Sequence, residues 1–152
     1  MLIENSFIFP DADVQTAEAC IRLAAAAFEA EGCVRAGYAD SVAAREKKYP
    51  TGLPGRGINI AIPHTTSELV DRPAIGVVVP REPVPFSMMG APDTVLSCGL
   101  IFPLVIKDAH QQIDMLKKMM AIIQDSELLL KIRQAGSKEE ILGYLRVLSD
   151  DE

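Results

Sequence analysis

The stretch GINIAIPHTT, Gly57–Thr66, decides how the rest of the chain is read. It is an apolar, β-prone run that Pro63 ends, with His64 immediately behind it. That pattern predicts a strand over 58–62. A lone histidine is ordinarily a satisfied, partly buried side chain. This one follows directly on a buried strand and a proline, so its backbone is well fixed. Functional side chains are often set at strand ends in α/β folds. Its neutral form can act as a nucleophile near pH 7, and a hydrogen bond to one ring nitrogen decides which nitrogen reacts.

Working outward, AIGVVV (74–79) reads as a continuous strand buried on both faces. TVLSCGLIFPLVI (94–106) reads as another, with Pro103 marking an edge or bulge. SFIF (6–9) is a short strand, and PREPVPFSMMGAPD (80–93) a loop or hairpin with little regular structure. Asp11 or Asp13 is placed to cap a helix whose apolar positions run from Ala17 to Phe28 and which Gly32 ends. A second helix is expected over 38–48, with Val42 and Ala43 inward, stopping before Pro50. Three helices finish the chain. Asp108 with Gln111 resembles a capping box for the first, whose stripe is Ile113, Leu116, Met120 and Ile123. Ser126 opens the second. Ser137 and Glu140 open the third, ahead of Ile141, Leu142, Leu145 and Leu148. Strands mixed with helices in this way predict a three-layer α/β/α domain.

The chain has 152 residues, enough for one domain with a real core, and we expect a single domain over 1–149 with a solvated tail at 150–152. A net charge of −6 and no Lys/Arg stripe argue against nucleic acid. The start has no basic n-region, and the longest apolar runs, 74–80 and 99–106, are too short to span a bilayer. The three cysteines, Cys20, Cys33 and Cys98, form no CxxC and read as reduced core thiols of a cytoplasmic protein. Two histidines, His64 and His110, with no Cys/His cluster make zinc improbable.

Two features stand beside His64 as candidates. Arg45, in AAREKKYPTG, is either a surface arginine in a charged cluster or a planar fork aimed at an anion. The helix start near Asp108 carries His110 and Gln112. It is either a plain solvated helix end or a source of first-turn amides for an anion. GLPGRG lacks the Lys-Ser/Thr of a P-loop, and no G-x-S-x-G elbow exists.

REKKYPTG followed by GINIAIPH closely resembles the enzyme IIA domains of the fructose–mannitol superfamily of the bacterial phosphotransferase system. The Arg-Glu pair, the Thr-Gly turn and the A-I-P-H element behind Gly57 occur in family order and spacing, and the resemblance covers nearly the whole chain. It implies a mixed central sheet between helix layers. It implies a cytoplasmic phosphocarrier that takes a phosphoryl group from phospho-HPr on His64 and passes it to a cysteine of enzyme IIB. Arg45 would help to hold that group. No cofactor, nucleotide or metal is implied. Many members carry a second histidine in H-[LI]-x-x-L. Aligning that pattern gives Gln112-Ile113-Asp114-Met115-Leu116, so Gln112 replaces the histidine and His110 lies two residues early. Gln112 can still donate through its amide. The Pro-Thr-Gly turn and the glutamine resemble the galactitol-type branch, which implies galactitol or a related polyol. Phe86, Met88 and Met89 are candidates for an apolar docking patch. The main rival is a regulatory, nitrogen-type enzyme IIA whose phosphorylation controls protein partners. A binding module without phosphotransfer comes next, and a hydrolase is a distant third.

Overall fold

The computed structural model describes residues 3–108, 110 and 113–146. Short apolar runs pair into strands β1 (Ile8–Ala12), β2 (Gly52–Leu53), β3 (Asn59–Ala61), β4 (Ala74–Ile75), β5 (Val77–Pro80), β6 (Val84–Met88), β7 (Ala91–Ile101) and β8 (Leu104–Val105). Six of them form one mixed sheet in the order β1-β5-β7-β3-β2-β6, and β4 with β8 makes a separate two-stranded ribbon. β6 also pairs antiparallel with β7, so β7, β3, β2 and β6 close a circuit of pairings. Within that circuit Gly52 is obligatory: a Cβ there would stand 2.6 Å from the Ser87 carbonyl oxygen.

Helices cover both faces. α1 (Ala17–Ala30) and α2 (Tyr38–Lys48) bring Ile21, Ala24, Phe28, Tyr38 and Val42 against Phe7, Val34 and Val105. α3 (Ile113–Ile123), α4 (Ser126–Gln134) and α5 (Lys138–Tyr144) bring Met119, Ile122, Leu129, Ile132 and Ile141 onto Ile60, Val77, Leu100 and Phe102. The architecture is the expected three-layer α/β/α with a mixed sheet. Residues 150–152 lie outside the described residues.

Local chemistry explains the element ends, and in places it departs from the sequence reading. α1 is capped by Thr16, whose hydroxyl accepts from the Ala19 amide at 3.0 Å, not by Asp11 or Asp13. Asp11 instead takes a left-handed φ of 50° at the irregular end of β1. Gly32 closes α1 at φ 76°, where a side chain would be strained. α2 has the expected bounds and buries Val42 and Ala43. In α5 the Ser137 hydroxyl accepts from the Glu140 amide at 3.1 Å, while the Glu140 carboxylate reaches back to the Gly136 amide at 3.2 Å.

AIGVVV is not one strand. It breaks at Gly76, whose N–H donates to Pro103 O at 2.9 Å, so that 74–75 joins β8 and 77–80 joins the main sheet. All of it is buried, as expected. Of the loop and the hairpin the sequence allows, residues 84–101 form the hairpin, more ordered than expected, with one irregularity between Ser87 and Met88. Its alternation turns Val84 and Phe86 into the core, so Phe86 is no part of an exposed patch. Met89 is 43% exposed at the turn. Gly52 pairs with both Ala61 and Met88. α3 is rotated from the expected stripe: Met119 and Ile122 are buried, whereas Ile113 and Met120 are each 45% exposed. Gln111, the partner proposed for Asp108, lies outside the described residues.

Candidate functional site

β3 delivers the chain to His64, and hydrogen bonds beyond the strand keep it aimed. Phe102 N–H donates to Ala61 O at 2.8 Å, and Leu104 N–H donates to Pro63 O at 3.0 Å. On the other side the Ile62 N–H is shared between Thr51 O at 3.4 Å and Thr51 Oγ1 at 3.2 Å. Residues 61–63 are therefore held on both flanks, and Pro63 removes a donor and fixes φ.

The ring of His64 is half-buried, and its Nδ1 lies 2.8 Å from the carbonyl oxygen of Ile62. A carbonyl only accepts, so Nδ1 carries the hydrogen in the neutral ring. Nε2 is then the nitrogen with a free lone pair. The contact defines the tautomer of the neutral imidazole and leaves Nε2 able to act as a nucleophile.

His64 lines an open cleft of about 330 Å³ together with Arg45, Thr65, Thr66, Ser67, Ile106 and Lys107. α2 supplies one wall. Ser41 and Arg45 share a face at i, i+4. The Ser41 hydroxyl bonds the Thr65 hydroxyl at 2.8 Å, tying the helix to the residue after His64. The guanidinium carbon of Arg45 lies 5.1 Å from the centroid of the Tyr49 ring, and Lys48 Nζ lies 5.5 Å from the same centroid. These cations sit in the last turn of α2, where the helix dipole favours positive charge. Across the cleft Lys107 donates to Asp71 O at 3.0 Å. Thr66 donates its hydroxyl to the Glu68 carboxylate, and this bond holds the Glu68 carboxyl below its ordinary range.

Next to Arg45 in α2 comes a buried carboxylate. Glu46 is 8% exposed. Its two oxygens accept from the Thr51 amide and the Thr51 hydroxyl, each at 2.8 Å. Burial pushes its pKa up, and the two Thr51 bonds pull it partly back.

The structure therefore brings Arg45 and His64 to one cleft. His110 is exposed, its N–H donates to Asp108 Oδ1 at 2.9 Å, and it is not among the described residues lining the cleft. Gln112 lies outside the described residues. Sequence reasoning gave no role to Lys107, Thr65, Thr51 or Glu46, although Glu46 and Thr51 belong to the Arg-Glu pair and the Thr-Gly turn that carry the resemblance. Lys107 had a legible signal, being a cation directly after the apolar run that ends at Ile106. The other three take part through hydrogen bonds that link separate segments, and nothing local announces these.

No helix among the described residues is long and apolar enough to cross a membrane. The three cysteines are buried and free, and Cys98 Sγ donates to Ile60 O at 3.3 Å.

The profile of one family, described as "Phosphoenolpyruvate-dependent sugar phosphotransferase system, EIIA 2", matches residues 1–147. The galactitol-specific EIIA component of Escherichia coli strain K12 is 27% identical over 126 residues, covering 81% of this chain and 82% of the relative. Enzyme IIAMTL from Escherichia coli, solved in complex with phosphorylated enzyme IIBMTL, superposes with a TM-score of 0.76 at 22% identity, covering 96% of this chain and 98% of that one. The nitrogen regulatory protein IIA-Ntr from Neisseria meningitidis gives a TM-score of 0.77 at 28% identity, covering 93% and 94%.

Proposed function

The chain belongs to the EIIA 2 family of the phosphoenolpyruvate-dependent sugar phosphotransferase system, whose members transfer phosphoryl groups through a histidine, and we propose that it is a sugar phosphocarrier in which His64 takes that group on Nε2. The observation that carries this reading is the 2.8 Å bond from Nδ1 to Ile62 O, which leaves the lone pair on Nε2 of a residue lining a cationic cleft.

In the first step the Nε2 lone pair attacks the phosphorus of phospho-HPr. The P–N bond to the donor imidazole breaks, and the donor nitrogen recovers its electron pair. In the second, a cysteine thiolate of enzyme IIB attacks the same phosphorus, and the P–N bond to His64 breaks. Both steps balance without water or an external reagent. Phosphoryl transfer asks the protein mainly for positioning and charge stabilisation. Arg45, through its planar fork, and Lys107, as a point charge, offset the charge spread over the equatorial oxygens. Ile62 O keeps its bond to Nδ1–H as the ring becomes cationic.

The galactitol-specific relative and the Pro50-Thr51-Gly52 turn support galactitol or a related polyol as the sugar served. The partners dock on the His64 face, where Glu68, close in sequence to the cleft residues Thr66 and Ser67, offers an acidic rim for a basic donor. Exchange needs fast release, so the interface is small and weak. The likeness to IIA-Ntr supports the second reading, a regulatory protein whose phosphorylation state controls its partners.

The test mixes the protein with enzyme I, HPr and phosphoenolpyruvate. The expected product is an acid-labile, alkali-stable phosphate that His64→Ala does not form. Onward transfer to an enzyme IIB cysteine supports the transport role. Stable phosphorylation with no such transfer, but with altered protein binding, supports the regulatory one.

A further inference from the structure

The reading above uses His64 and the cations in its cleft, and it leaves the buried Glu46 without a role. An ionised carboxylate out of water is costly unless donors satisfy it. Glu46 meets that cost with both donors of a single residue, the Thr51 amide and hydroxyl at 2.8 Å each. Stabilising the turn between α2 and β2 would explain this pair alone. The chain of contacts continues, however. Having donated its hydrogen to Glu46, Thr51 Oγ1 presents its lone pairs to the Ile62 N–H at 3.2 Å. Ile62 in turn accepts from His64 Nδ1 through its own carbonyl at 2.8 Å. Three hydrogen bonds thus run from a buried carboxylate to the imidazole through one hydroxyl and one residue of the strand extension, and the Thr51 amide adds a fourth bond to the carboxylate.

We infer that Glu46 is a positioning residue that acts through Thr51 and Ile62 to hold His64 as the Nδ1–H tautomer with Nε2 free to react. The direction of each bond supports this. A carboxylate accepts only, so it orients the Thr51 hydroxyl hydrogen toward itself. The hydroxyl is then an acceptor toward Ile62 N–H, which fixes where the Ile62 carbonyl stands. A carbonyl in that place admits only a donating Nδ1. The neutral ring in water prefers its hydrogen on Nε2, a form with no lone pair on the nitrogen that the cleft needs. Partners that orient a metal-ligating imidazole through its second nitrogen cost about 10- to 100-fold when removed, and an effect of the same order is expected here.

This inference rests on His64 Nε2 being the nucleophile, and the experiment separates the two claims. The variants are Glu46→Gln, Thr51→Val and Thr51→Ser, and each is compared with wild type by two measurements. Long-range 1H–15N spectra of the neutral His64 ring report the tautomer without any phosphotransfer. Single-turnover phosphorylation from phospho-HPr reports the chemistry. We expect the wild-type ring to be Nδ1–H. In Glu46→Gln and Thr51→Val the Nε2–H form gains population, and phosphorylation slows about 10- to 100-fold. Thr51→Ser, which keeps the hydroxyl, recovers most of what Thr51→Val loses in both measurements. An unchanged His64 tautomer in Glu46→Gln and Thr51→Val overturns the inference, as does a Thr51→Ser protein no better than Thr51→Val. If Glu46→Gln does not fold, the Thr51 pair still decides. Wild-type protein that takes no phosphoryl group refutes the phosphocarrier reading, and the tautomer comparison still tells whether Glu46 orients the ring.

Discussion

Truncating Arg45 to alanine separates two effects of very different size. The side chain is half-buried at the cleft, and its guanidinium carbon lies 5.1 Å from the centroid of the Tyr49 ring. That ring is 54% exposed and shared with Lys48, so the contact contributes about 0.5–1 kcal/mol to folding. For a chain of this length that is a fall in Tm of no more than about 4 °C. The transition-state term is larger. Removing one preorganised donor facing developing charge costs roughly 2.7–4 kcal/mol, or about 10²–10³ in rate. Lys107 remains on the cleft wall and continues to offset charge, which places the expected loss near the lower end, about 10²-fold. Arg45→Lys keeps the charge and loses the fork, so it should fall between Arg45→Ala and wild type. The assay is rapid-quench phosphoryl transfer from phospho-HPr at saturating donor, with thermal unfolding run alongside. An Arg45→Ala protein phosphorylated at the wild-type rate would refute the assignment of the guanidinium to the phosphoryl oxygens. A large loss of Tm would refute the claim that the arginine serves the site more than the fold.

Gly52→Ala should destabilise the protein by about 1–3 kcal/mol, because the new methyl meets the Ser87 backbone oxygen at 2.6 Å inside a closed set of strand pairings; urea unfolding checks this, and a change below about 0.5 kcal/mol contradicts it. Stability should also carry a pH signature from Glu46. Burial raises its carboxyl, so the folded state binds a proton more readily than the unfolded chain. Stability therefore falls as pH rises from the ordinary glutamate value through the raised one, and Glu46→Gln should flatten that segment. Glu68 and Asp71, both held low by their hydrogen bonds, act in the opposite sense, and a wild-type-minus-variant comparison at each pH cancels them. Burial pushes the thiols of Cys20 and Cys98 up to about 12, so both should resist a thiolate-specific reagent at neutral pH and react once the chain is unfolded.

The sequence carried the fold wherever local rules agree with tertiary contacts. α2 could be bounded because Pro50 follows it and Val42 with Ala43 marks its inner face. Gly76 shows the opposite case. AIGVVV looks continuous, but at Gly76 a Cβ would meet Phe7 O at 3.1 Å and the Phe28 ring at 3.2 Å, contacts made by remote segments. The 84–101 hairpin was obscured by Pro83, Pro85 and Pro92, although the alternation of Val84 and Phe86 was there to be read. In α3 the amphipathic period was visible, but which of two adjacent stripes faces inward is fixed by packing, and Met119 with Ile122 prevails over Ile113 with Met120. At the site His64 and Arg45 stand out as residue types. Glu46 and Thr51 do not, since their part depends on bonds to residues that only the fold brings near.

The central claim is that one nitrogen of one imidazole carries phosphorus between proteins. The most direct measurement is 15N–31P correlation on the protein after incubation with enzyme I, HPr and phosphoenolpyruvate. The account predicts a single phosphoramidate at Nε2 of His64, lost in His64→Ala. Phosphorus on Nδ1, on His110, or on no histidine at all would contradict it.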